Sequence, residues 1–209
     1  GMNSALTPWM YSKIKKGDIC SMRKVLQLLS VVVVGIAVAL MLISPELVLI
    51  FGSPKYREAV YVIPPVAASV FFIFIYNILS MPQFYYEKTQ FLMAASMAAA
   101  GANVVLNFIF IRLFGYIAAG YTTLACYMLY SVGHYIVSKR ILVKEGIQEN
   151  LMNPGFLVAC AVFLIGASII CNLIFPYRIL RYAILLASAG LVFWKKELLL
   201  KTMADIRKK

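Results

Sequence analysis

NVVLNFIFIRLFGYIAAG, residues 103–120, decides how the chain folds. An apolar run carries two asparagines, Asn103 and Asn107, then meets Arg112 and Gly115, and turns apolar again. On a helix, residues four apart share a face, so the two amides project side by side. Arg112 marks the border of the apolar run, and Gly115 permits a tight turn. The stretch reads as a helical hairpin: one helix arrives up to Ile111, and a second leaves from Tyr116.

The whole chain shares this character. It has 209 residues, 63% hydrophobic and only 13% charged. A soluble domain is about half apolar and about a quarter charged. The composition predicts an all-α, polytopic membrane helix bundle. The net charge of +12 would suggest nucleic acid in a soluble protein. Here the bases belong in loops, where they orient the bundle, and no nucleic-acid partner is expected.

A helix needs about 20 apolar residues to cross the hydrocarbon. Residues 25–43, 59–81, 91–111, 116–137 and 155–175 meet this; 179–194 is shorter, and Arg181 near its start is expected to snorkel outward. About six transmembrane helices follow. The chain divides into a basic amphipathic segment (1–24), a six-helix lobe (25–194) and a basic tail (195–209). The first 24 residues lack the apolar core of a signal peptide. SPELVLIFGSPKYREA, residues 44–59, reads as a turn-rich connection. Pro64 and Pro65 fall inside the second span and predict a bend there.

Six crossings place both termini on one side. Fifteen of the 20 lysines and arginines then lie on that side, against Lys55, Arg57, Arg112, Arg178 and Arg181 on the other. This asymmetry predicts cytoplasmic termini. Trp9, Tyr61, Tyr85, Tyr86, Tyr177 and Trp194 sit near span ends, where interfacial anchors belong.

No aspartate or glutamate falls within these spans, so an intramembrane carboxylate relay is not expected. The polar groups inside them are Asn77, Asn103, Asn107, His134 and Asn172, with serine and threonine hydroxyls. Two readings stand for the asparagines. With Arg112 they line a polar cavity, or they hydrogen-bond to neighbouring helices and hold the bundle together. Ala94, Ala95 and Ala98 to Ala102, with Gly101 among them, allow close helix approach and favour the second reading. His134, the single histidine, is either a protonation switch or a satisfied interfacial residue. Tyr86, Glu87 and Lys88 form a charged cytoplasmic loop. Glu145 and Glu149 read as a solvated helix turn. The four cysteines lack the paired spacing of a zinc site or disulfide framework. No nucleophile–base pair, phosphate loop or metal cluster stands in the sequence, so neither an enzyme nor a cofactor is expected.

Four stretches carry a resemblance: ALTPWMYSKIKKGD (5–18), SPELVLIFGSPKYREA (44–59), FYYEKTQF (84–91) and NVVLNFIFIRLFGYIAAGYTTLACY (103–127). Their order and spacing resemble the C-terminal half of polysaccharide exporters in the multidrug/oligosaccharidyl-lipid/polysaccharide flippase superfamily. The likeness covers roughly residues 5–140. Ala118-Ala119-Gly120 departs from the usual glycine-before-alanine order, though all three are small. The resemblance implies one lobe of a two-lobe transporter in the bacterial cytoplasmic membrane. Such exporters flip an undecaprenyl-diphosphate-linked oligosaccharide for surface polysaccharides such as O-antigen or exopolysaccharide. The implied partners are that lipid-linked substrate, membrane lipids, an N-terminal lobe, a polysaccharide polymerase and a chain-length regulator. Alternatives are half of a cation-coupled multidrug exporter and a membrane-bound lipid-linked sugar transferase.

Overall fold

The computed structural model describes residues 2–52 and 54–194; the basic segment 195–209 lies outside them. Among the described residues seven α-helices follow one another: α1 (Met2–Lys15), α2 (Ile19–Phe51), α3 (Ile63–Tyr85), α4 (Gln90–Phe114), α5 (Ala118–Lys144), α6 (Pro154–Ile174) and α7 (Arg178–Trp194). A 3-10 segment, Pro54–Val62, leads into α3. No strand occurs among the described residues. Among the described residues four segments are long and apolar enough to cross a membrane: Ile19–Phe51, Arg57–Tyr85, Gln90–Phe114 and Pro154–Ile174. Helix α5 is long enough, but Thr122, Thr123, Ser131, His134 and its tyrosines make it more polar. Most of these groups turn toward α3 and α4.

Helix α3 is the centre of the bundle. It packs against α1, α2, α5 and α6, most extensively against α5. Phe71, Phe72, Phe74, Ile75, Ile78 and Leu79 are buried along it. Helices α3 and α5 approach closely because small residues stand at the crossing. A Cβ on Gly120 would lie 2.8 Å from Pro65 Cγ and 3.0 Å from the Val62 carbonyl oxygen. Further along, the Ser131 hydroxyl of α5 donates to the Phe72 carbonyl of α3 at 2.9 Å. Helix α4, by contrast, packs chiefly on α5 and buries none of its residues. The α4–α5 hairpin turns at Gly115, whose φ of +77° suits glycine; its N–H donates to the Ile111 carbonyl at 2.9 Å.

Several elements differ from the sequence expectation, each for a physical reason. The 1–24 segment is not one unit. Leu6, Trp9, Met10 and Ile14 form a buried face of α1, so Trp9 is a core residue and not an interfacial anchor. Residues from Ile19 already belong to α2, which Asp18 caps by accepting from the Ser21 N–H.

Helix α2 also continues well past Ile43, through Pro45, to Phe51. A proline removes one helical hydrogen bond and leaves the carbonyl four residues earlier without its donor. Here that carbonyl belongs to Met41, and the Ser44 hydroxyl donates to it at 2.7 Å. The chain therefore keeps its helix where the sequence suggested a turn. At 33 residues, α2 is about 50 Å long, against about 30 Å of hydrocarbon.

Pro64 and Pro65 do not bend the interior of a helix. They lie in the first turn of α3, where the missing N–H groups would have no helical partner anyway. The 3-10 segment ahead of them joins smoothly to this start.

Candidate functional site

Three polar assemblies interrupt the apolar bundle. The first is a cleft of about 320 Å³ between α3, α4 and α5. Tyr76, Ser96, Asn103, Thr123, Tyr127 and Tyr130 line it. The tyrosines are mutually packed: Tyr76 lies edge-on to Tyr130 at 4.7 Å and parallel to Tyr127 at 6.2 Å. The Tyr130 hydroxyl meets the Ser96 hydroxyl at 2.7 Å, joining α5 to α4.

The two asparagines divide their roles. Asn107 Nδ2 donates to Asn103 Oδ1 at 3.0 Å, and the Thr122 hydroxyl of α5 donates to Asn107 Oδ1. Asn107 is therefore tied into the α4–α5 seam, as the helix-holding reading expects. Asn103 contributes its oxygen to this chain and still lines the cleft. Its Nδ2 has no protein partner among the described residues. The structure thus places Asn107 in the helix seam and Asn103 at both the seam and the cleft.

Arg112 does not join them. It is exposed, lines none of the cavities around α4, and stacks over the Phe108 ring at 3.9 Å, one turn back on its own helix. Asn77 donates to the Ile73 carbonyl of its own helix at 2.7 Å, so it too stays outside the cleft. Asn172 donates to the Tyr121 hydroxyl at 3.0 Å, linking α6 to α5.

The second assembly centres on His134. The sequence allowed an interfacial histidine; the structure buries it completely, between Tyr76, Tyr130 and Phe91. Gln83 of α3 meets it, with Gln83 Nε2 2.8 Å from His134 Nδ1. With the amide donating, Nδ1 accepts and the ring proton sits on Nε2. Gln83 Oε1, His134 Nε2 and the nearby Ser138 hydroxyl have no hydrogen-bond partner among the described residues. Gln83 lies beyond Met81, where the apolar run predicts the second span to end. Helix α3 runs on through Pro82 to Tyr85 and carries the amide inward.

The third assembly was missed altogether. Glu46 lies within α2 and Arg181 within α7. Arg181 Nη1 and Nη2 donate to the two Glu46 oxygens at 2.8 and 2.9 Å, a bidentate pair. Nη1 also donates to the Leu42 carbonyl at 2.7 Å, and the Tyr182 hydroxyl donates to Glu46 Oε1 at 2.9 Å. Arg181 is 3% exposed. It does not snorkel outward, because its partner lies inside. A carboxylate thus stands inside a helix long and apolar enough to cross the membrane, which revises the expectation of none. It sits five residues from the end of α2, about 7.5 Å along the axis. The signal available in the sequence was the pair of lone charges, Glu46 after Pro45 and Arg181 in an apolar run, each needing a partner.

At the opposite end of the bundle, Tyr86, Glu87 and Lys88 form the α3–α4 turn. Glu87 adopts a φ of +56°, and the Lys88 N–H donates to the Gln83 carbonyl at 2.8 Å, closing the end of α3. Glu87 and Lys88 line a groove there of about 1010 Å³. Glu149 approaches Arg23 at 3.9 Å, and Arg23 donates to the Asn150 carbonyl. No group of three histidine, cysteine or acidic side chains is arranged to hold a metal among the described residues.

These features define the class: an all-helical bundle with four segments able to span a membrane and polar side chains gathered inside it. Comparison with protein-family models, curated proteins and solved structures finds no match to this chain.

Proposed function

We propose that the chain is one lobe of a transporter that flips a lipid-linked oligosaccharide, of the undecaprenyl-diphosphate type, across a bacterial cytoplasmic membrane. In this reading α5 and α7 complete six crossings, both termini are cytoplasmic, and a second lobe faces α4. The observation that carries the proposal is the tyrosine-lined cleft with the Asn103 amide at its edge. Aromatic faces beside hydroxyl and amide groups suit a sugar, which has both apolar C–H faces and many hydroxyls. Polar groups in hydrocarbon are expensive unless they find partners or a wet cavity. Here Asn107 has its partners and Asn103 has the cavity.

A cation-coupled drug exporter is the second reading, and Glu46 is the observation that bears on it. Its bidentate contact with Arg181 occupies the carboxylate, so the sugar-lipid reading stands ahead.

The test uses a strain lacking its flippase, with this lobe expressed together with its second lobe. Asn103→Leu is expected to lower export per folded molecule with the folded amount unchanged. Asn107→Leu, which breaks the seam to Thr122, is expected to lower the folded amount by about 1 kcal/mol of stability. Normal export per folded molecule in Asn103→Leu would remove the cleft from the transport path.

A further inference from the structure

A groove of about 1010 Å³ lies away from the tyrosine cleft, at the α3–α4 turn, and it collects positive charge. Lys88 enters it from the turn; Lys139, Arg140 and Lys144 enter it from the last turns of α5. None of these four forms an ion pair among the described residues. Glu87 and Glu145 also line the groove, leaving cations in excess. Helix α4 begins at its edge, and the Thr89 side chain makes no capping hydrogen bond there. The positive end of the α4 dipole therefore adds to the same field. Bases that merely orient a membrane protein are spread through its loops. Here cations from two separate elements converge on one cavity.

The wall of the groove is apolar. Phe91 of α4 and Ile136 and Val137 of α5 line it, beside the charged lip. Cationic lip and apolar wall form one surface where α4 begins and α5 ends. A soluble anion would use only the lip. We infer that this groove binds the phosphate of an anionic phospholipid, with the acyl chains against the α4–α5 wall. The inference concerns a bulk lipid and does not rest on the sugar-lipid transport reading.

The experiment takes the full chain in detergent and counts retained lipid by native mass spectrometry. Phosphatidylglycerol is compared with phosphatidylcholine, and inorganic pyrophosphate serves as the soluble anion. The expected result is selective retention of phosphatidylglycerol. It should fall on the order of tenfold in Lys139→Gln/Arg140→Gln, given the contribution of each base near an anionic lipid. The charge-retaining Lys139→Arg/Arg140→Lys pair should keep it, which separates lost charge from misfolding. Lys15→Gln/Lys16→Gln, exposed bases at the same end, should also leave it unchanged. An equal fall in that control pair, no preference over phosphatidylcholine, or full displacement by pyrophosphate would each overturn the assignment.

Discussion

Removing one member of the Glu46–Arg181 pair should be worse than removing both, and the two single losses should be unequal. Arg181→Met deletes two bonds to the carboxylate and one to the Leu42 carbonyl. Stranding a buried charge costs about 3–5 kcal/mol. Glu46 would be left with the Tyr182 hydroxyl, its side chain is 21% exposed, and it can take up a proton. That places Arg181→Met near the lower limit, about 3 kcal/mol. Glu46→Leu strands the guanidinium instead. Arg181 has a side chain only 4% exposed, and a guanidinium does not release its proton. Its cost should reach about 4–5 kcal/mol. The double variant Glu46→Leu/Arg181→Met leaves no charge unpaired, and about 0–2 kcal/mol is expected, since apolar replacement of a buried pair is often near neutral. Reversible unfolding in mixed micelles, followed by helix content, reads all three. The reasoning fails if the double variant costs the sum of the singles, or if each single lies within about 0.5 kcal/mol of the parent, the scatter expected for independent sites.

Gly120→Ala should destabilise the bundle by about 1–3 kcal/mol, because its Cβ would meet Pro65 Cγ at 2.8 Å and must push α3 from α5; Gly101→Ala, with open space around it, is the control in the same unfolding assay. The α1–α2 junction should respond to acid. The Lys13 ammonium, then the Ser21 hydroxyl and, less strongly, the Ser21 amide hold Asp18 down to about 2, from 3.8, so folding favours its ionised form. The cap's contribution is complete above about pH 4 and is lost as the pH falls from there through about 2. The difference in thermal midpoint between the parent and Asp18→Asn should therefore be constant near neutral pH and vanish in that acid window; a difference that persists below pH 2 would refute the assignment.

The sequence made the bundle legible because hydrophobic runs of spanning length need only counting. Asn103, Asn107 and the Gly115 turn were readable from spacing alone, since four residues make a helical turn. Long-range pairings were not. Glu46 was assigned to a loop because Pro45 ordinarily ends a helix, and nothing local reveals that Ser44 replaces the lost donor. Arg181 was read as snorkelling because its partner lies 135 residues away in the chain. Gln83 was hidden in the same way, one residue beyond a proline. In each case the missing information was which distant group satisfies a lone polar atom. The structure also gives Asn103, Asn107 and Arg112 separate surroundings. Thr122 on the next helix captures one, the cleft takes the second, and Phe108 holds the third.

Helix α4 carries a consequence for how the chain is made and how it can change. It buries none of its residues in this bundle and leans mainly on α5. Its place is therefore set by the Gly115 turn and the seam with α5, and owes little to the rest of the bundle. Its outer positions, Met93, Met97, Val104 and Leu113, are free to drift among apolar residues. Ala95 and Ala99 instead line a cavity of about 320 Å³ on the seam with Cys126 and Tyr130, and a larger side chain there would fill it.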